Sequence, residues 1–467
     1  MIAPMDPTTT AREHPAVQQY AKHVNPAFVK LLGVLGYGRL LTRAKDVWVW
    51  DHAGREYLDL LACFGAVNIG HNHPRLVRRL QRYLEEDALQ FVHVGPSPHA
   101  AALAARLAAL ASPGLEVALL SSTGAEAVEA GMKVARAATG RAGFVSCVGG
   151  YHGTSLGTLS IMGSPRMRGP FEPLLAQCTT VPFGDLGALD AALRSKTVAA
   201  FVVDPFNCEV SAAPPPPGYL AEAQALCRRY GSLLVLDEVQ TGLGRTGTLF
   251  AYQAPAPAGG FVPDVLVLAK SLSGGFAPIG ATLISAALQE RAYGSMDRFD
   301  LHNSTFGGNG LSCAAALETL DILEQQGLVA ASAERGAELL AKVRARLEGH
   351  PLVRSVRGRG LLVSVELGPT EQGWLNRLAP GLVRAVSKQV FGQWAAVKLL
   401  ERGVIAQPAT QHWDVLKLEP PLTLQSREVD QAVAALGDVL DEYRGVSALV
   451  NDVVERVGKQ FMAGWGF

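Results

Sequence analysis

The chain has 467 residues, 42 of them basic and 42 acidic, so its formal net charge is zero. At 48% hydrophobic and 18% charged it can bury a large core, and its length suggests two or three domains. No long basic run occurs, which disfavours a nucleic-acid role, and no stretch of about twenty uncharged apolar residues suggests a membrane span. The start, MIAPMDPTTTAREH, carries acid and proline where a signal peptide needs an apolar run. Six scattered cysteines (Cys63, Cys147, Cys178, Cys208, Cys227 and Cys313) show neither CxxC nor zinc spacing. They fit reduced thiols in a cytoplasmic protein with no metal site.

Residues 1 to about 45 read as irregular, with some helix. DVWVWDHAGREYLDLLA then reads as a hairpin: VWVWD alternates, HAGR turns and EYLDLL returns. Helical spacing recurs from Pro74 to Leu84 and from His99 to Ala111. Strand-then-helix units follow. EVALLSS runs into AEAVEAGMKVARAA; GFVSCVGG leads into a loop; AAFVVDPF precedes PPPPGYLAEAQALCRRYG; then come SLLVLDEVQTG and DVLVLAK. Short runs of Val, Ile and Leu between helices predict an α/β fold with a mostly parallel sheet covered on both faces. The tetraproline at 214–217 reads as a stiff connection. A long helix, LSCAAALETLDILEQQ, leaves the sheet, and a smaller α+β unit follows with VRSVRGRGLLVSVEL, a helix near 390–402 and VLKLEPPLTL. Expected boundaries are 1–75 for an N-terminal segment joining the small domain, 76–330 for the large domain and 331–445 for the small one. Residues 446–467 are expected to form an extra helix and an aromatic tail, GWGF, to which no chemistry is assigned.

Four local signals stand out. Lys270 follows the apolar run DVLVLA; alone, such a lysine is solvated or ion-paired. Asp237 ends LLVLD, where a carboxylate needs a cation or donor; alone it would be a cap or a core ion pair. Thr123 and Glu126 have capping-box spacing, and the N–H groups of Gly124 and Ala125 at a helix start suit a phosphate; alone this is a capped helix. Tyr151 and His152 lie among glycines in a loop, where an aromatic could stack on a flat ring or simply plug the core. Taken in chain order, helix start, aromatic loop, carboxylate and then lysine, the four are the parts that hold pyridoxal phosphate (PLP). The helix start takes the phosphate, the aromatic covers a ring face, the carboxylate pairs with the pyridine nitrogen and the lysine bonds the aldehyde. A dinucleotide role lacks a GxGxxG opening a helix after a strand.

On LLVLDEVQTGLGRTG, LAKSLSGGFAPIGA, HNSTFGGNG and VRGRGLLVSVEL, from about residue 45 to 440, the chain resembles the class III (ω-amino) aminotransferases of the fold-type I PLP enzymes. FGAVNIGHNHPRL, PPPPGYL and KLEPPLTL liken it most to putrescine (diamine) aminotransferases, with ornithine and acetylornithine aminotransferases next. The resemblance implies Lys270 as the Schiff-base lysine, Asp237 as the partner of the pyridine nitrogen and Gln240 near the ring's O3′. It implies Thr123, Gly124 and Ala125 as the phosphate turn, Tyr151 as the stacking aromatic followed by His152, and Thr305 as a phosphate ligand of the other subunit. Glu209 matches a glutamate that gates an active-site arginine. A homodimer with a shared active site is therefore the minimum assembly, a tetramer being left open. The partners are an amine donor and an oxo-acid acceptor, 2-oxoglutarate or pyruvate, used by a ping-pong mechanism.

The departures point to the substrate. The phosphate turn reads TGA where the family has SGT, and VEPIQGEGG appears as VDPFNCEVS, making Asp204, Cys208 and Ser211 unusual. Lys417, in KLEPPL, replaces the arginine that binds a substrate carboxylate; lysine offers one point charge where arginine offers a fork. Phe64 stands where the ornithine branch has tyrosine. Both favour a diamine or ω-amino donor lacking an α-carboxylate. The alternative is a specialised biosynthetic PLP enzyme of the same fold, acting on a bulky or tethered substrate or as an aminomutase, racemase or decarboxylase.

Overall fold

The computed structural model describes residues 11, 14–35, 37–90, 94–210, 212, 214–255, 260–368 and 380–443, without the side chains of 34, 35 and 380–390. Among these residues fifteen strands lie in three sheets. In chain order they are β1 (Leu41–Lys45), β2 (Trp48–Asp51), β3 (Glu56–Asp59), β4 (Val117–Ser121), β5 (Gly143–Cys147), β6 (Cys178–Val181), β7 (Val198–Val203), β8 (Leu233–Asp237), β9 (Val265–Leu268), β10 (Gly280–Ile284), β11 (Val353–Arg359), β12 (Leu362–Leu367), β13 (Val404–Ile405), β14 (Gln407–Pro408) and β15 (Val415–Leu418).

The Val- and Leu-rich runs build a seven-stranded sheet of order β4-β10-β9-β8-β7-β5-β6. Every pairing from β9 to β6 is parallel; β10 alone runs antiparallel, to β4 and to β9. Strands β5, β7 and β9 are buried along their whole length, as a sheet sandwiched between helices requires. The helix Gly124–Thr139 lies close on this sheet because position 131 has no side chain: a Cβ at Gly131 would sit 3.2 Å from Val265 Cγ1 and 3.3 Å from Val235 Cγ1. Asp204 directly follows β7, Asp237 ends β8 and Lys270 lies just past β9. Three adjacent parallel strands thus deliver their functional groups to one edge, the carboxyl end where α/β sheets open their ligand crevice.

The hairpin read from WVWD and EYLD is present, with Trp48 opposite Leu58 and Trp50 opposite Glu56. It belongs to a second sheet, β1-β2-β3-β13, in which β13 pairs in parallel with β3 and ties the N-terminal segment to residues beyond 400. The third sheet, β11-β12-β15-β14, is antiparallel and is covered by the helices Leu328–Leu347 and Pro380–Glu401, on both of which the helix Ser426–Asp441 packs. The helix expected near 390 starts earlier, at Pro380. Strand β10 escapes the sequence reading because its prefix, GGFAPI, reads as loop. The expected helix and tail at 446–467 lie outside the described residues. No helix among the described residues is long and apolar enough to cross a membrane.

Candidate active site

Strand β9 stops at Leu268, so Lys270 is not the strand's last residue. It opens the 3-10 turn Lys270–Ser273 with φ 44°. Left-handed backbone costs a non-glycine residue on the order of 1 kcal/mol, and such strain collects at functional positions. Desolvation pushes the Lys270 ammonium below the usual lysine value; Lys417 acts in the same direction, while Glu419 and Glu209 oppose it. The result is an amine more easily deprotonated than a surface lysine.

Asp237 is buried at the end of β8. Its Oδ2 accepts from His152 Nδ1 at 2.8 Å and its Oδ1 from the backbone N–H of Val239 at 3.0 Å. A carboxylate held at both oxygens has a fixed orientation and still has lone pairs to offer. Burial alone would lower the His152 pKa, but the nearby carboxylates of Asp204 and Asp237 outweigh it and hold the pKa above the ordinary value. Tyr151, on the same loop, is half-buried, and its phenol is pushed up by burial and then by Glu209.

Thr123 caps the helix Gly124–Thr139: its side chain accepts from Glu126 N at 3.1 Å. The reciprocal half of the expected capping box is displaced by one residue. Glu126 Oε2 takes the N–H of Ser122 at 2.7 Å rather than that of Thr123. The first backbone helical bond runs from Ala127 N to Thr123 O at 3.0 Å, so the N–H groups of Gly124 and Ala125 precede the helical ladder. A Cβ at Gly124 would lie 3.1 Å from Val239 Cγ1 and 3.5 Å from Ala269 Cβ, which packs this turn against the approaches to Asp237 and Lys270. Ala125 faces Gly153, where an added Cβ would come within 2.7 Å of the alanine methyl. Ser304 Oγ meets Glu126 Oε2 at 3.1 Å and Ser122 Oγ at 3.2 Å, and the adjoining Thr305 is exposed.

Across the site, Lys417 is fully buried. Its Nζ lies 3.1 Å from Glu209 Oε1 and 2.8 Å from Glu419 Oε1, with the Phe64 ring centroid 5.6 Å away. Burial opposes the lysine's charge, yet the two carboxylates override it and hold the pKa above the usual lysine value. Burial likewise opposes charge on Glu209 and Glu419, and Lys417 holds both carboxyls below their ordinary value. Glu209 is pinned at its other oxygen by the N–H of Thr410, 2.7 Å away. Gln240 Nε2 donates to both oxygens of Glu419 at 2.9 Å. Phe64 sits in a turn where Ala62, Cys63 and Phe64 have φ of 46°, 52° and 57°. Asp59 Oδ1 supports that turn by accepting from Leu61 N at 2.8 Å and Ala62 N at 3.0 Å. Arg245, fully buried behind Glu419, donates to the carbonyls of Leu361 and Pro420 and to Asn68 Oδ1, joining the N-terminal segment, the loop after β8 and the third sheet.

The structure therefore brings together Lys270, Asp237, His152, Gln240, Glu209, Lys417 and Phe64, with Thr123 to Ala125 at the neighbouring helix start. Ser211, noted as unusual, lies outside the described residues. One participant, Glu419, was not singled out from sequence, and another, Asp204, was noted only as an unusual residue. Glu419 lies two residues from Lys417, the period that puts strand side chains on one face, and that was the available signal. Asp204 meets the end of β7 as Asp237 meets the end of β8.

Residues 35–440 match the family Aminotransferase class-III, and the chain belongs to that family of PLP-dependent enzymes. It is 35% identical over 466 residues to Aminotransferase PigE of Serratia sp. (strain ATCC 39006), an alignment covering 92% of this chain and 54% of that protein. The chain thus spans about half the length of this curated relative. Among solved structures it resembles the ornithine aminotransferase from Toxoplasma gondii, at 31% identity and TM-score 0.76, covering 87% of this chain and 92% of that one. It also resembles an amine transaminase from an uncultivated Pseudomonas species in its PLP-bound form, at 30% identity and TM-score 0.75, covering 86% and 95%. The acetylornithine aminotransferase from Elizabethkingia anophelis matches at 25% identity and TM-score 0.71, covering 93% and 100%. The donor set fits PLP: helix-start amides that precede the helical ladder where a Cβ would crowd Val239, a buried anchored carboxylate, and an amine whose proton is loosened by desolvation.

Proposed function

We propose that the chain is an ω-aminotransferase that moves a terminal amino group from a diamine or ω-amino compound, such as putrescine, cadaverine or ornithine, to 2-oxoglutarate or pyruvate in two ping-pong half-reactions. The carrying observation is Lys417. The charge that an oncoming carboxylate would need is buried and already paired with Glu209 and Glu419, beside the apolar ring of Phe64. An α-carboxylate would have to displace one of these buried carboxylates, whereas a terminal amine does not. The oxo-acid's carboxylate would have to draw Lys417 from Glu209.

When bound, PLP supplies an aldehyde for the incoming amine and a ring that accepts the electron pair left when the amine carbon loses its proton. In this reading the N–H groups of Gly124 and Ala125, with the Thr123 turn, hold the phosphate. Asp237, oriented by His152, would keep a positive charge on the ring nitrogen. Tyr151 would cover a ring face, and Gln240, held by its bonds to Glu419, would face the ring's hydroxyl edge. Lys270 Nζ, whose proton is loosened by desolvation, would be the base that accepts the proton from the amine carbon. Thr305 is exposed on a segment that also exposes Phe299, Leu301 and Phe306, which supports a second copy covering this face and completing the phosphate site. A cytoplasmic location goes with this reading.

Stopped-flow visible absorbance with putrescine, cadaverine, ornithine and lysine tests it. The band of the bound cofactor should be lost fastest with the two diamines. Loss with no terminal amine would overturn the proposal, and products formed without any oxo-acid would favour a mutase or decarboxylase.

A further inference from the structure

Behind Asp237 lies a third ionisable group that the mechanism above does not use. One oxygen of Asp204, one ring nitrogen of His152 and one oxygen of Asp237 all lie within 4.8 Å of one another. His152 Nδ1 is committed to Asp237, and its buried Nε2 has no hydrogen-bond partner among the described residues. The Asp204 carboxylate makes no hydrogen bond or ion pair among the described residues, yet it stands at the end of β7, next to the strand that ends in Asp237.

We propose that Asp204 is a positioning residue: as a second carboxylate beside His152 it keeps that imidazole cationic, so that a charged donor holds Asp237 in register with the cofactor's ring nitrogen. A neutral histidine would bond Asp237 from one tautomer only, and the other tautomer would present a lone pair to the carboxylate. A cationic histidine donates from Nδ1 whatever happens at Nε2. Two carboxylates around one buried imidazole supply the field that burial would otherwise deny it. The titratable groups facing Asp204 are His152, Asp237, Glu209 and Lys270, and the buried thiols of Cys147 and Cys208 feel its charge. Desolvation, the largest influence, pushes the Asp204 carboxyl up to about 7, and His152 and Lys270 pull it back. The inference rests on Asp237 serving the ring nitrogen, but its tests read His152 itself.

Histidine ¹⁵N NMR of the holoenzyme at pH 7, with the His152 signal assigned by comparison with His152→Gln, should show both ring nitrogens protonated. A neutral tautomer would overturn the proposal whatever the substrate proves to be. The second test follows the visible absorbance of the bound cofactor against pH. In Asp204→Asn, His152 should lose its proton at least one pH unit lower than in the wild type, a tenfold or greater loss of proton affinity. Asp204→Glu, which keeps the charge, should stay near the wild-type titration. Identical titrations for the wild type and Asp204→Asn would refute the role, as would Asp204→Glu behaving like Asp204→Asn. If Asp204→Asn does not fold, the wild-type NMR signal and the Asp204→Glu titration still decide it.

Discussion

Replacing Lys417 by methionine isolates the feature on which substrate choice rests. The side chain keeps most of its length and loses its charge, leaving Glu209 and Glu419 buried without the ammonium now 3.1 and 2.8 Å away. Removing one partner of a buried ion pair costs about 3–5 kcal/mol, because the remaining charge cannot recover its hydration. Two carboxylates are stranded here, but Arg245 and the Gln240 amide remain near Glu419, and the Thr410 N–H remains on Glu209. The same range of about 3–5 kcal/mol is therefore expected near pH 8. The pH dependence carries a sign. In the wild type both carboxyls are held below the value they have unfolded, so their contribution is present above that value and is lost as pH falls through the folded one. In Lys417→Met burial acts unopposed by the lysine and raises them, so the folded variant takes up protons and recovers stability on acidification. Urea unfolding of wild type and variant, both saturated with cofactor, at pH 5.5 and pH 8 measures this. The gap should be large at pH 8 and clearly smaller at pH 5.5. A gap under about 1 kcal/mol at both values would mean that the buried pairing contributes little, and the argument from it would fail.

Lys417→Arg should improve use of 2-oxoglutarate in the second half-reaction, since a guanidinium can keep one carboxylate partner and present a fork to another; steady-state kinetics with 2-oxoglutarate and pyruvate checks this, and an unchanged profile would place acceptor recognition elsewhere. Gly124→Val should weaken cofactor binding at least tenfold, because a Cβ already falls 3.1 Å from Val239 Cγ1 and further methyl groups would push the helix start away. Equilibrium dialysis against PLP reads the loss, and undiminished binding would exclude that turn as the phosphate site.

The strands that carry chemistry were legible because each is a short apolar run ending in a polar residue. Asp237 after LLVL and Lys270 after VLVLA both mark the carboxyl edge of the sheet. The helix at Gly124 was legible from the spacing of Thr123 and Glu126; it ends at Gly140, whose φ is 68°. Other features depend on contacts between segments far apart in the chain. Lys417 could be placed on a strand, but that it spends its charge on Glu209, about two hundred residues earlier, and on Glu419 follows only from packing. The left-handed turn at Ala62–Phe64 has no glycine until Gly65 and leaves no local signal; Asp59 and the tertiary fit impose it. Asp204 was legible only as an oddity, because its meaning comes from His152 and Asp237, brought beside it by the sheet order.

The central claim is that Lys270 is the residue bonded to the cofactor. Borohydride reduction of the PLP-loaded protein, followed by proteolysis and peptide mass mapping, tests it directly. The account predicts that the visible band is bleached and that the cofactor's mass is found on the peptide containing Lys270, with none retained by Lys270→Ala. Cofactor fixed to a different lysine, or none fixed to a protein that binds PLP, would contradict it.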